Sequence, residues 1–398
     1  MTENGLPGKA KGLWAVALLA IGAAVAQAFG RFTYGVLLPA ARDDLGISNS
    51  IAGSLGTVNV GAYLVGTIAV AAATGRYRLL QVMQLGFVFS TVGLTLAAIS
   101  PNAMVLGVGL FLTGFGGACI WIPAPVIAAA ALVPERRGLA VGLMGSGIGA
   151  GIVFSGQLAS YVRSTMGDDA WRTVYVIEAI VAVVVLLATL LLIGHHQDRP
   201  SGARTGIGGF TALRRMRGWA PITLAYTSFG FMYLLVIAFL TTKLEDDNSW
   251  TGQEASLAFT LLGVAVVFGG PLLIAQAVRF GPRPVLALTF IGWTLMVLLV
   301  LPGWLVPSLA ASVGLGLLFA GIPGNITFYF VENTTVEDYG PSFAAGTLAF
   351  GVAQMLAPQV GGLIADLSGS FTPVFLLSAA FALTGTVASL RLPRSAST

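Results

Sequence analysis

The chain carries little charge for its length. Its 398 residues include 20 basic and 16 acidic side chains, or 9%, where a soluble domain carries about 25%. So few charges cannot cover a water-exposed surface of this size, so lipid must be the solvent for much of it. Cysteine is nearly absent. The single Cys119 excludes an intrachain disulfide and implies nothing about an oxidising compartment; lying in an apolar stretch, it reads as a small packing residue. The only histidines, His195 and His196, are neighbours that point in different directions, a poor basis for a metal site. No grouping of Ser, His, Cys and acid suggests hydrolysis, so no enzyme activity and no cofactor are expected. The net charge of +4 comes from basic residues scattered over short loops. They form no stripe of the kind nucleic acid needs, so nucleic-acid binding is not expected.

What the chain does contain is apolar length. Apolar residues make up 56% of it, and a helix needs about 20 of them in a row to cross the hydrocarbon core. Spans are expected at roughly 13–39, 51–74, 79–99, 103–132, 138–162 and 172–194, then at roughly 219–243, 253–278, 285–302, 307–333, 342–367 and 373–391. The fold class this predicts is an all-α membrane protein, with twelve transmembrane helices in two pseudo-symmetric six-helix bundles. The domains would be 1–194, a cytoplasmic linker 195–218 rich in Arg, Pro and Gly, and 219–398.

The two halves repeat one design roughly 204 to 206 residues apart. Arg137-Gly138-Leu139-Ala140-Val141-Gly142 opens span 5, and Pro341-Ser342-Phe343-Ala344-Ala345-Gly346 opens span 11. Lys11-Gly12-Leu13-Trp14 before span 1 matches Arg217-Gly218-Trp219 before span 7. Two halves with a ligand held near the midplane between them is a layout of secondary transporters. In span 5, Gly145-x-Gly147-x-Gly149-x-Gly151 has no strand before it, so it is no dinucleotide loop. Close helix packing explains it better.

With the N-terminus cytoplasmic, 15 loop-borne basic residues fall on the cytoplasmic side, and only Arg42, Arg163, Arg172 and Lys243 fall on the other. That asymmetry predicts both termini inside. Acids gather on the outer side as Asp43-Asp44, Asp168-Asp169 and Glu245-Asp246-Asp247. Lys9 and Lys11, an apolar run and Ala24-Val25-Ala26 also fit a signal peptide. Cleavage there would destroy the match between the halves, so span 1 is expected to stay.

Several local runs resemble the major facilitator superfamily, and the likeness extends over essentially the whole chain. They are Pro134-Glu135-Arg136-Arg137-Gly138 between spans 4 and 5, Trp171-Arg172 entering span 6, and Pro358-x-x-Gly361-Gly362 in span 11. The run Gly30-Arg31-Phe32-Thr33-Tyr34-Gly35-Val36-Leu37-Leu38-Pro39 resembles a bacterial branch with an arginine in the first span. There are departures. The loop Gly75-Arg76-Tyr77-Arg78 lacks the family's acid, and span 5 lacks the proline that marks many drug antiporters. The resemblance implies a multi-pass protein of the bacterial inner membrane, with spans 1, 4, 7 and 10 about a central cavity.

An ionisable side chain within a span costs about 2.5–3.5 kcal/mol on insertion scales, so each calls for a reason. Gln27, Arg31 and Tyr34 recur at i, i+4, i+7 and so share one face of span 1. Arginine grips a carboxylate through a planar fork. Two readings stay open for Arg31: a substrate or coupling site, or an ion pair with Glu178. By rise per residue, both lie roughly 7 to 8 Å above the midplane. Unpaired and desolvated, Glu178 would instead be able to carry a proton. Other expected lining residues are Trp121, beside Pro123 and Pro125; Tyr226 and Tyr233, on one face of span 7 with Phe229; Asn325 in span 10; and Gln354 in span 11. Gln276 and Gln359 add further amides, and Glu332 and Asp366 are expected at interfaces.

The expectation is therefore a secondary active transporter working as a monomer. Its partners would be a small-molecule solute, the lipid bilayer and the protons that drive it. Arg31 favours an organic anion, while the aromatic faces allow efflux of drug-like molecules. A non-transporting membrane receptor or assembly partner is the remaining alternative.

Overall fold

The computed structural model describes residues 8–73, 76–130, 137–192 and 209–393. Pro134-Glu135-Arg136, Gly75, the two histidines and residues 195–208 of the expected linker lie outside these. No β-strand occurs among the described residues. Among the described residues, eleven helices are long and apolar enough to cross a membrane. The first span comprises α1 (Gly8–Ala23), wide turns over Ala24–Phe32 and α2 (Thr33–Leu45). Then come α3 (Asn49–Ala73), α4 (Leu79–Ala98), and α5 (Ala103–Trp121) with α6 (Ala124–Ala130). The break between α5 and α6 falls at Pro123, whose ring leaves no N–H to continue the helix.

The twelfth expected span corresponds to α7 (Arg137–Met166), 30 residues long. It is not among the eleven. After α8 (Arg172–Leu192), a short α9 (Gly209–Arg215) lies within the expected linker. It buries Ala212 and Leu213, and Arg215 reaches Asp338 at 2.7 Å. There follow α10 (Trp219–Thr242), α11 (Gly252–Phe280), α12 (Pro282–Val300), α13 (Leu305–Asn333), α14 (Val336–Ser368) and α15 (Thr372–Leu390). Pro358 sits inside α14 without ending it.

Among the described residues, the sequence halves meet chiefly where α7 packs on α11, α3 on α14 and α2 on α10. Lipid offers no hydrophobic drive between helices, so close backbone approach must hold them. At the α3–α14 crossing, a Cβ on Gly53 would meet the Pro358 carbonyl, and one on Gly362 would meet the Asn49 carbonyl. Only hydrogen fits at either place. Leu191 and Leu367, 82% and 79% exposed, show the reverse face, where apolar side chains point outward as lipid requires.

At one end of the molecule, the acids expected outside meet the few basic residues expected there. Arg163 binds Glu245 through both terminal nitrogens, at 2.8 and 2.7 Å, and Asp168 through Nε at 2.6 Å. Arg42 pairs with Asp246, and Arg172 with Asp44 at 2.7 Å. Asp247 accepts the N–H groups of Phe371 and Thr372 and so caps α15.

Candidate transport site

The first span does not run straight through. Phe29 has ψ 140° and Gly30 φ +78°, so helical geometry is lost immediately before Arg31. A positive φ suits glycine because it has no Cβ to clash. Space demands glycine there too: a Cβ would lie 2.6 Å from the Thr113 hydroxyl of α5. The break frees backbone groups that a continuous helix would pair, and side chains from neighbouring helices answer them.

Gln27, Arg31 and Tyr34 do share a face, and that face is turned to α3. Gln27 donates to the Tyr63 hydroxyl at 3.3 Å. Arg31 Nε donates to Asn59 Oδ1 at 3.3 Å, and its guanidinium lies 4.8 Å from the centre of the Tyr63 ring. Asn59 is itself fixed, donating to the Leu110 carbonyl at 2.8 Å and to the Thr113 hydroxyl at 3.0 Å. Tyr34 donates to the Ala52 carbonyl at 2.9 Å, a tie between helices that uses up its only proton. Across the seam, the Tyr233 hydroxyl lies against the Arg31 guanidinium and donates to Gln354 Oε1 at 2.6 Å. A small cavity holds Arg31, Tyr34 and Asn59 on one side, with Leu234, Ile237 and Pro358 on the other. Among the described residues no carboxylate pairs with Arg31.

The ion pair with Glu178 does not form. Thr33, two residues past Arg31 and about 200° further round the helix, donates to Glu178 Oε1 at 2.5 Å. Ser155 of α7 donates to the same oxygen at 2.7 Å. Matching depth was the argument for the pair, but depth does not fix azimuth: Arg31 faces α3, and Glu178 approaches from the α7–α8 side.

The second half supplies an aromatic wall. Tyr226 stacks on Phe350 at 4.5 Å, and Tyr233 stacks on Phe229 at 4.9 Å and leans on Phe319 at 5.2 Å. Phe319 in turn meets Phe32 edge-on at 6.1 Å, which joins the wall to the first span next to Arg31. Asn325 is fully buried, and neither atom of its amide has a partner. Trp121 sits half-buried at the α5–α6 junction and joins neither the hydrogen bonds nor the ring stacks of this cluster. Gln276 lines a separate apolar cavity among α11, α12 and α13. Glu332 is exposed, and Asp366 accepts the N–H groups of Asn49 and Ser50. Sequence reasoning missed Asn59 and Tyr63, although their i, i+4 spacing inside an apolar span is the same signal that singled out Gln27 and Arg31.

A multi-pass helical bundle, with an arginine that has no acidic partner between its sequence halves, fits a membrane transporter. The chain belongs to the major facilitator superfamily: residues 23–390 match the family described as "Uncharacterised MFS-type transporter YbfB". It is similar to Monocarboxylate transporter 11 of Homo sapiens, 26% identical over 349 residues that cover 81% of this chain and 71% of that one. It is also similar to the uncharacterized MFS-type transporter YceJ of Bacillus subtilis (strain 168), 23% identical over 348 residues, covering 85% and 80%. In fold it resembles a bacterial homolog to the human lysosomal transporter Spinster, inward-facing and unoccupied. That likeness has a TM-score of 0.75 at 15% identity and covers 97% of this chain and 98% of the other.

Proposed function

We propose that the protein is a secondary active transporter that moves a small organic anion by alternating access, coupled to a proton. The observation that carries this reading is Arg31: a fixed positive charge at the seam between the sequence halves, with neutral partners and no acidic one. Asn59 and Tyr63 hold the guanidinium in place but leave its charge unneutralised, so a carboxylate is the missing partner. The aromatic wall of Tyr226, Phe229, Tyr233, Phe319 and Phe350 suits an apolar body attached to that carboxylate. A monocarboxylate, the class for which two relatives are named, has this chemistry.

The architecture proposed with it is twelve spans, counting α7, in two six-helix bundles at 1–194 and 219–398 joined by 195–218. The distribution of basic residues favours an inner-membrane protein with both termini cytoplasmic, and a monomer is enough to build the site. Gln27, Tyr63, Tyr233 and Gln354 surround the substrate in this reading, with Tyr226 in the wall. Asn325 and Trp121 would meet substrate only in another state of the cycle.

Counterflow in proteoliposomes tests the reading. Exchange of a labelled aliphatic or aromatic monocarboxylate is expected, and neutral amides of the same acids should not compete. Exchange restricted to uncharged or cationic amphiphiles would replace it with drug efflux. No exchange by folded protein across acids, sugars, amino acids and drugs would leave a non-transporting receptor.

A further inference from the structure

Glu178 is completely buried in α8, and among the described residues no cation pairs with it. On α2, Arg31 faces the other way, and Tyr34 is committed to Ala52. On α7, Arg163 is held at the acid-rich end by Glu245 and Asp168. On α8 itself, Arg172 is held by Asp44, and only Tyr175 is titratable close by. Helix α4, packed on α8, has no ionisable side chain. One carboxyl oxygen receives the hydroxyls of Thr33 and Ser155, whose oxygens lie 2.8 Å apart. The other oxygen has no partner, nor does the Tyr175 hydroxyl one turn away. An apolar cavity of about 620 Å3 ends one turn from this cluster, lined by Phe29, Gly151, Phe154 and Val181.

A buried carboxylate without a counter-ion takes up a proton more readily than it stays charged. Here the carboxyl also grips the break in the first span. Thr33 is the first residue of α2, and the Gly30 N–H points to Glu178 as well. An anion is favoured at the exposed N-terminus of a helix and a neutral acid much less so. Loss or gain of the proton therefore changes the hold on α2, and Arg31 rides on the same backbone one residue past Gly30.

We propose that Glu178 is the proton-carrying group of this transporter. It is separated from the Arg31 site by the helix break at Phe29–Gly30, and that break transmits proton binding to Arg31. The proposal rests on the carrier reading above, but its first test does not use substrate. Acid-minus-alkaline infrared difference spectra of the purified wild-type chain in lipid should show a protonated carboxyl C=O band that Glu178→Gln removes. Hydroxyls donated to the carboxylate favour its charged form, so Thr33→Val and Ser155→Ala should each move the midpoint of that band to higher pH. A band unchanged by Glu178→Gln, or a midpoint indifferent to both hydroxyl substitutions, overturns the proposal. If Glu178→Gln does not fold, the hydroxyl variants decide it alone. In proteoliposomes, Glu178→Gln should reduce accumulation driven by a pH gradient by about tenfold or more and counterflow much less. Equal losses in the two assays also overturn it. Absence of counterflow in the wild type would remove the carrier reading and leave the infrared result to stand or fall on its own.

Discussion

Asp366 near the end of α14 accepts the backbone N–H of Ser50 at 2.7 Å and that of Asn49 at 3.0 Å. The start of α3, in the first half of the chain, is thus capped by a carboxylate from the second half. An anion at a helix N-terminus is stabilising, so this cap favours the closed arrangement of the acid-rich end. Arg42 with Asp246 and Arg163 with Glu245 act across the same seam.

Asp366→Ala should therefore cost about 0.5–2 kcal/mol, the range for a lost cap. The loss should bear on closure more than on folding. Thiol labelling of a cysteine placed at Ser54, which bonds Gln359 beneath this cap, should speed up in the variant, with only a small fall in melting temperature. Unchanged labelling would mean that the other pairs alone hold the end shut.

Arg31→Lys keeps the charge and loses the fork, so transport of an anionic substrate should fall well over tenfold, in line with about 1.5–3 kcal/mol for a hydrogen bond to a charged group. Because Arg31 and Glu178 bond different neighbours, Arg31→Ala with Glu178→Ala should be no better than Arg31→Ala alone. Uptake and melting temperature of the two single variants and the double variant check this. Recovery in the double variant would mean that the two side chains pair in some state and that Arg31 is no carboxylate clamp.

Tyr233→Phe removes the hydroxyl that joins Gln354 to the Arg31 neighbourhood and keeps the ring on Phe229. One neutral hydrogen bond is worth about 1 kcal/mol. KM should rise several-fold with little change in melting temperature, since the aromatic stack survives. A fall in kcat at constant KM would instead place Tyr233 in the conformational step.

Much of this was legible because lipid imposes simple rules. Apolar length located the helices, and Gln27, Arg31 and Tyr34 do meet one neighbour, α3, although the break at Phe29–Gly30 interrupts the helical period between the first two. The Arg31–Glu178 pair failed because rise per residue gives the height of a side chain and not the direction it faces. Nor was the break at Gly30 legible: glycine is common in membrane helices, and only the Thr113 side chain packed against it shows why a bend is required there. Tyr63 and Asn59 were passed over because charge drew attention first, although a charge inside a membrane needs neutral neighbours of just this kind. The span at α7 was recognised from its apolar length and from the repeat between the halves.

Gly30→Ala probes the break itself. A β-carbon at φ +78° is strained by about 1–2 kcal/mol, and it would also press on the Thr113 side chain. Thr113 receives the Asn59 amide, and Asn59 holds Arg31, so the strain reaches the proposed site through two side chains. The single variant should lose stability and most of its transport. Gly30→Ala with Thr113→Ala relieves the contact but not the backbone strain, and it takes the hydroxyl away from Asn59. Melting temperature should therefore recover in part while transport stays low. If Thr113→Ala restored both, the left-handed backbone at Gly30 would be a packing accommodation rather than part of the transport machinery. If Gly30→Ala were silent from the start, the first span would have to pass through the site as an unbroken helix.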